Sequence, residues 1–215
     1  VRAEAVEVGA ILRSAGEAGR EAAERCVAEG DAEAGFRVGV IVEPMGAAVP
    51  ATVPCDPSLF HQALANIVTN AVQAACEAGC GAHDAVVCGV RVGRELNADG
   101  RRADMLGVWV RDRGAGLPPD VRGRMFNPFF TTRAAGTGLG LAIVHRIIDA
   151  HGGRVRAENN SAELGGGATV ELLLPLEPAV HSHRGSAVEG AVLSEPTLSA
   201  DEDMIGALGR TEASV

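Results

Sequence analysis

The sequence predicts an α/β fold, one globular domain followed by a polar tail. Two observations predict it. Short β-rich segments alternate with two long runs of helical periodicity, and 47% of the 215 residues are apolar, enough for one ordinary core. After Leu176 the composition turns small, polar and acidic with little periodicity, so residues 177–215 read as a disordered or weakly ordered tail.

The elements follow in order. Val6 to Val8 alternates like a short strand, and Gly9 to Ala28 reads as an amphipathic helix with Ile11, Leu12 and Val27 as buried candidates. Phe36 to Val42 is β-rich, and Pro44, Met45 and Gly46 turn the chain. A strand of about 51–53 ends at Pro54. Asp56 is a good helix N-cap and Pro57 suits the first helical position, so a helix is expected from there to about Ala78, before Gly79. Its apolar face is Leu59, Ala63, Leu64, Ile67, Val68, Ala71, Val72 and Ala75. Ala85 to Val92 and Met105 to Val110 are strands around a hairpin loop at 97–102. A loop region with a short helix fills 119–135. A helix follows the glycines to about Ala150, and Arg154 to Glu158 with Ala168 to Leu174 makes a final hairpin.

Composition excludes several classes. A net charge of −9 argues against non-specific nucleic-acid binding. No apolar run approaches the roughly 20 residues that span a bilayer, and no signal peptide is visible. An odd count of five cysteines reads as reduced cytosolic thiols. Cys76, Cys80, His83 and Cys88 can be drawn as a metal site, but small residues near a helix end are the plainer reading. The first residue is Val, and the chain is expected to be a fragment of a longer protein.

Four stretches carry possible chemistry. In Gly136-Thr137-Gly138-Leu139-Gly140-Leu141, glycines alternate with small or apolar residues ahead of a helix. Glycines let a ligand approach backbone N–H groups, and the helix N-terminus adds a positive dipole end, so phosphate is the natural guest; a tight-packing loop is the other reading. The spacing is neither a Walker loop nor a dinucleotide fingerprint. Asn66 and Asn70 stand one turn apart on the central helix, although Asn forms helices poorly. They are either solvated surface amides or amide oxygens for a hard cation such as Mg2+. Asp112 ends a strand and precedes Gly114 and Gly116, which suits hydrogen bonding to an exocyclic amine as well as an ordinary turn. Three of the five phenylalanines fall at 126, 129 and 130, either anchoring a mobile segment or forming a packing cluster.

Together, Asn66–Ala71, Asp112–Gly116, Phe126–Arg133 and Gly136–Leu141, in that order, resemble the catalytic and ATP-binding domain of bacterial sensor histidine kinases, in the superfamily shared with gyrase, MutL and a heat-shock chaperone. The runs 70–75 and 128–133 are similar to the nitrogen-regulator-like subgroup. The resemblance covers about 6–176, with 1–5 as a linker from a dimerisation domain. It implies a Bergerat-type two-layer α/β sandwich, a mixed sheet of about five strands with three main helices on one face. It also implies roles. Asn66 and Asn70 would be catalytic, holding Mg2+ and the ATP phosphates. Asp112 would take the adenine amine, with Gly114 and Gly116 admitting the base. Residues 118–135 would form the ATP lid, with Arg133 (usually Lys) near the phosphates. Gly136, Thr137, Gly138, Leu139 and Gly140 would line the triphosphate, and Thr169 would support the adenine pocket.

In hydrolytic relatives a Glu commonly stands where Asn66 does; an amide cannot accept a proton, so transfer is expected over hydrolysis. None of the six histidines (61, 83, 145, 151, 181 and 183) stands in a phosphoacceptor setting. The implied partners are the dimerisation and phosphoacceptor helices of a parent kinase and a downstream response regulator, with no nucleic acid and no direct membrane contact. A cytoplasmic location is implied, with membrane attachment of the parent open. The competing expectations are an inactive nucleotide-binding module, with Arg113 and Arg133 as departures, an anti-sigma-type serine kinase, and lastly a gyrase-like ATPase.

Overall fold

The computed structural model describes residues 2–28, 39–97, 100–133 and 136–177, with only the backbone at 27 and 28. The predicted burial of the Val27 side chain, the start of the β-rich run at Phe36, the last two lid residues and all but the first residue of the tail lie outside what is described.

Strand β1 spans Glu4–Glu7, two residues ahead of the expected Val6, and helix α1, Val8–Ala28, follows directly and takes in Val8. Strands β2 (Val40–Val42) and β3 (Thr52–Cys55) precede helix α2, Pro57–Glu77. Strands β4 (Val86–Leu96) and β5 (Arg102–Asp112) follow. Then come the one-turn α3 (Pro119–Arg122), α4 (Gly140–Ala150), β6 (Arg154–Asn159) and β7 (Ala168–Pro175). The main sheet has five strands in the order β2-β4-β5-β7-β6, mixed because β2 runs parallel to β4 while the other pairs are antiparallel. Helices α1, α2 and α4 cover one face, which is the expected two-layer sandwich.

Helix α2 is central because its apolar stripe meets both neighbours. Phe60, Leu64, Ile67, Val68 and Val72 are buried against Ile11 and Ala15 of α1, Val144 and Ile148 of α4, and the inward residues of the sheet. The Asp56 cap accepts from the Leu59 N–H at 3.1 Å, satisfying one of the amides that a helix start leaves without a partner. The His151 Nε2, behind α4, accepts from the Asp56 N–H at 2.9 Å, and the other ring nitrogen meets the Ile147 carbonyl at 2.7 Å. A single imidazole therefore ties the end of α4 to the start of α2.

Two sequence expectations change. The strands around the hairpin are longer than their apolar cores, pairing in full register from Val86↔Asp112 to Leu96↔Arg102. Backbone hydrogen bonds hold a ladder together beyond the point where side chains stop being buried, so charged Arg94, Glu95, Arg102 and Asp104 are kept in strand. The short segment ending at Pro54 instead runs through it to Cys55 and forms a separate two-stranded ribbon with β1. Proline is tolerated there because β3 has one partner only and needs no donor on its other side.

Candidate nucleotide-binding site

The period of β5 aims the key carboxylate. Leu106, Val108 and Val110 face the helices and are buried, so Asp112, two further on, continues the same face into the space under α2. It is 6% exposed. Its Oδ1 accepts from the Gly114 N–H (2.8 Å) and the Ala168 N–H (3.2 Å). Oδ2 accepts no hydrogen bond from the described residues and keeps its lone pairs for a donor in the cavity. Burial pushes the Asp112 pKa up; the two backbone N–H groups and the positive charge of Arg133 pull the other way without cancelling it.

The cavity that receives this oxygen measures about 840 Å3 and is walled by α2, the ends of β5 and β7, the segment after β5, and the start of α4. Asn66, Asn70, Gln73 and Glu77 line its α2 side. Successive steps of four, three and four keep these polar residues on one edge of the helix while the apolar stripe faces the core. At the far end, α4 opens with no side-chain cap at Leu139, so its first N–H groups point their positive dipole end at the cavity. Gly140 comes so near the asparagines that a Cβ there would lie 3.2 Å from Asn66 Oδ1. Gly138 sits at φ +66 and passes so close to the Phe129 carbonyl carbon that no side chain fits.

Residues 118–133 cross the mouth. The carbonyl of Gly138 accepts from the Phe129 N–H at 2.9 Å, joining this segment to the glycine loop. The three phenylalanines make no aromatic contact with one another among the described residues. Phe126 meets His145, Phe130 lies under the Arg124 guanidinium, and Phe129, at φ +65, is 78% exposed. Met125 is the buried anchor of the segment. Arg133 ends it with its guanidinium on α2, donating to Glu77 from Nε at 2.6 Å and to Asn70 Oδ1 from Nη1 at 3.4 Å.

The predicted residues are therefore brought together. Asn66, Asn70, Asp112, Gly116, Arg133, Gly136, Thr137, Gly138 and Gly140 all line the one cavity. Gly114 supports Asp112 through its N–H, and Leu139 stands at the α4 cap, about one-third exposed. Thr169 does not line the cavity. It faces the other side of the sheet, where its hydroxyl donates to Asn160 Oδ1 at 2.6 Å. Arg113 also turns away, forming an ion pair with Asp84, so this departure leaves the cavity wall unchanged. Glu77, Gln73 and Met125 went unread; the polar spacing 66, 70, 73, 77 was the available clue to the first two.

A buried acceptor for an amine at one end and an open helix N-terminus for anions at the other suit a phosphate-bearing nucleotide whose base carries an exocyclic amine. Residues 55–178 match the family described as histidine kinase-, DNA gyrase B-, and HSP90-like ATPase, and the chain belongs to that family. It is an ATP-binding domain of the sensor histidine kinase kind.

The relatives agree. Over 145 residues the chain is 40% identical to nitrogen regulation protein NtrY of Azorhizobium caulinodans, covering 66% of this chain and 18% of that protein. It is 39% identical to the signal transduction histidine-protein kinase AtoS of Escherichia coli K12, covering 59% of this chain and 18% of that protein. The chain thus spans about one-fifth of the length of these curated relatives. A mycobacterial sensor histidine kinase, MprB, superposes with a TM-score of 0.50 at 26% identity, over 81% of this chain and 99% of that structure. The catalytic domain of histidine kinase ThkA gives 0.57 at 23% identity, over 83% and 100%, which shows the shared fold.

Proposed function

We propose that this domain holds ATP with a divalent cation and presents its γ-phosphate to a histidine on the dimerisation helices of a parent kinase, with a response regulator downstream. One observation carries the reading: the free Oδ2 of buried Asp112, the Asn66–Asn70 pair and the uncapped start of α4 face a single cavity large enough for a nucleotide. The base would lie against β5 with its exocyclic amine donating to Asp112, and the phosphates would run toward Gly136–Gly140.

Mg2+ suits the donors present. Hard cations take oxygen ligands and retain water, and the amide oxygens of Asn66 and Asn70 are oxygens without charge; at Asn70 the ion would take the place of the Arg133 guanidinium, which donates to that oxygen at 3.4 Å. Among the described residues no group of three or more His, Cys, Asp or Glu side chains could hold an ion without them. When bound, the ion neutralises phosphate charge. Arg133, held on Glu77 and Asn70, adds positive charge at the mouth of the cavity, and Asn66 offers no base to activate water. The arrangement aligns the γ-phosphate for a nucleophile from outside the cavity: the P–N bond to imidazole forms as the bond to the β–γ bridging oxygen breaks and ADP leaves.

Of the described histidines, His151 is buried between Asp56 and Ile147, His61 is bonded to Ser14, His145 meets Phe126 and exposed His83 stands beside Asp84, and none of the four lines the cavity. The acceptor is therefore assigned to another segment. No helix among the described residues is long and apolar enough to cross a membrane, and the domain is assigned to the cytoplasmic part of its parent. We also assign 6–176 as the domain proper, with the paired β1 beginning slightly earlier at Glu4.

The test is a titration with a fluorescent ATP analogue, with and without Mg2+, on wild type, Asp112→Asn and Asn70→Ala. Micromolar, Mg2+-assisted binding that both variants lose is the expected result. A folded wild type that binds nothing overturns the reading.

A further inference from the structure

Two consecutive residues at the end of β6 hold both ends of the segment that reads the base. Asn159 spends its whole amide on Leu117: Oδ1 accepts from the Leu117 N–H at 2.6 Å and Nδ2 donates to the Leu117 carbonyl at 3.0 Å. Asn160 does the same work at the other end, where its Nδ2 donates to the Asp112 carbonyl at 3.0 Å and to the Gly166 carbonyl at 2.8 Å. Its Oδ1 accepts from the Thr169 hydroxyl, so a third side chain sets which way the Asn160 amide points. Neither asparagine nor Thr169 lines the cavity.

Past Asp112 the segment pairs with no strand in register; the Arg113 N–H bonds to the Ala85 carbonyl at 3.0 Å and the Gly114 N–H to Asp112 Oδ1 at 2.8 Å, and the other backbone groups of 112–117 need further partners. A primary amide is the side chain that answers both the N–H and the C=O of one residue, because it carries a donor and an acceptor on one planar group. Aspartate at 159 would keep the bond to the Leu117 N–H and set a carboxylate against the Leu117 carbonyl.

We infer that Asn159 and Asn160, with Thr169 behind them, are positioning residues that fix segment 112–117 and so make the site select a 6-amino purine over a 6-oxo purine. The inference deepens the proposed function and rests on it. A carboxylate separates amine from carbonyl only when it is held at hydrogen-bond distance from that one atom. If the segment drifts, the amine loses its bond while a 6-oxo purine, whose exocyclic oxygen cannot donate to the carboxylate, loses little.

The experiment compares affinities for ATP and inosine triphosphate, which differ in the 6-position group and in the hydrogen on N1, in wild type, Asn159→Ala, Asn160→Ala, Thr169→Val and Thr169→Ser. Thermal melts followed by Trp109 emission report folding. The expected result is a preference for ATP in wild type that falls roughly 3- to 10-fold in the Asn and Val variants, through weaker ATP binding alone. Thr169→Ser, which keeps the hydroxyl, restores it. Should Asn160→Ala not fold, Thr169→Val decides, since it removes one hydroxyl at nearly constant shape. An unchanged preference, or an equal loss for both nucleotides, overturns the inference while leaving ATP binding established. A wild type that binds neither nucleotide overturns the proposed function and the inference with it.

Discussion

Asp112 shows how a residue can cost the fold something and, in the role proposed for it, give the site its selectivity. Its folded pKa is raised, chiefly by burial. An acid whose pKa is higher in the folded state than in the unfolded one gains protons on folding, so stability falls as pH rises from the unfolded pKa through the folded one. At neutral pH the whole penalty is present. Asparagine in its place keeps an oxygen for the Gly114 and Ala168 N–H groups and carries no charge. Asp112→Asn is therefore expected to melt above wild type at pH 7, with the gap closing as pH falls through the raised folded value toward the unfolded value of 3.8. The same variant turns an N–H toward the base and is expected to weaken ATP binding about 100-fold or more. A variant that melts several degrees lower, or that still binds ATP well, contradicts this account. Asp112 could be picked out beforehand because a strand of period two ran straight into it. Its dependence on Asn160, 48 residues away, could not, since no local pattern records which loop comes to rest against which.

At the scale of the element, α2 does two tasks with two faces, and the sequence shows the apolar one more plainly than the polar one. Its start is fixed by Asp56, whose carboxyl is held below the ordinary range, first by the Leu59 N–H. A depressed pKa contributes stability above the unfolded value of 3.8 and loses it as pH falls through the folded value. Asp56→Ala is expected to lower Tm by about 2–4 °C at pH 7 and to flatten the acid limb of the stability curve below pH 4. Equal acid limbs in the two proteins would show that another carboxylate governs that region. The polar edge ends in Glu77, which grips the Arg133 guanidinium at the mouth of the cavity. Phosphates approaching Arg133 must compete with that carboxylate. Exposed pairs contribute little to folding, so Glu77→Gln is expected to leave Tm within about 1 °C. It should tighten ATP binding by about two- to threefold through the freed cation, and weaker binding would instead mean that Glu77 holds Arg133 where the phosphates need it. The stripe 66, 70, 73, 77 was readable at its two asparagines, which are out of place in a helix. It was silent at Gln73 and Glu77, which are ordinary surface residues for a helix and gain meaning only from what lies opposite.

For the whole molecule, the order of elements and the five-stranded sheet follow from periodicities, whereas the two-stranded ribbon of β1 and β3 depends on two short segments meeting at long range. Nucleotide should test how far the parts act as one. The cavity is walled by α2, β5, β7, α4 and the segment across its mouth, so unfolding any one of these elements removes a wall. A ligand that binds only the assembled site stabilises the folded chain by RT ln(1 + [L]/Kd), about 2.7 kcal/mol at a hundredfold excess over Kd. For a domain of this size that corresponds to a rise in Tm of about 5–10 °C. Trp109, the only tryptophan, lies in the central strand β5 and packs over Gly89, so its emission follows the sheet itself. Wild type with ATP and Mg2+ is expected to show the full shift in a single transition, and Asp112→Asn almost none. A shift by calorimetry that Trp109 does not share would mean that ATP orders the mouth of the cavity without engaging the sheet, and the site would then have to be redrawn away from Asp112.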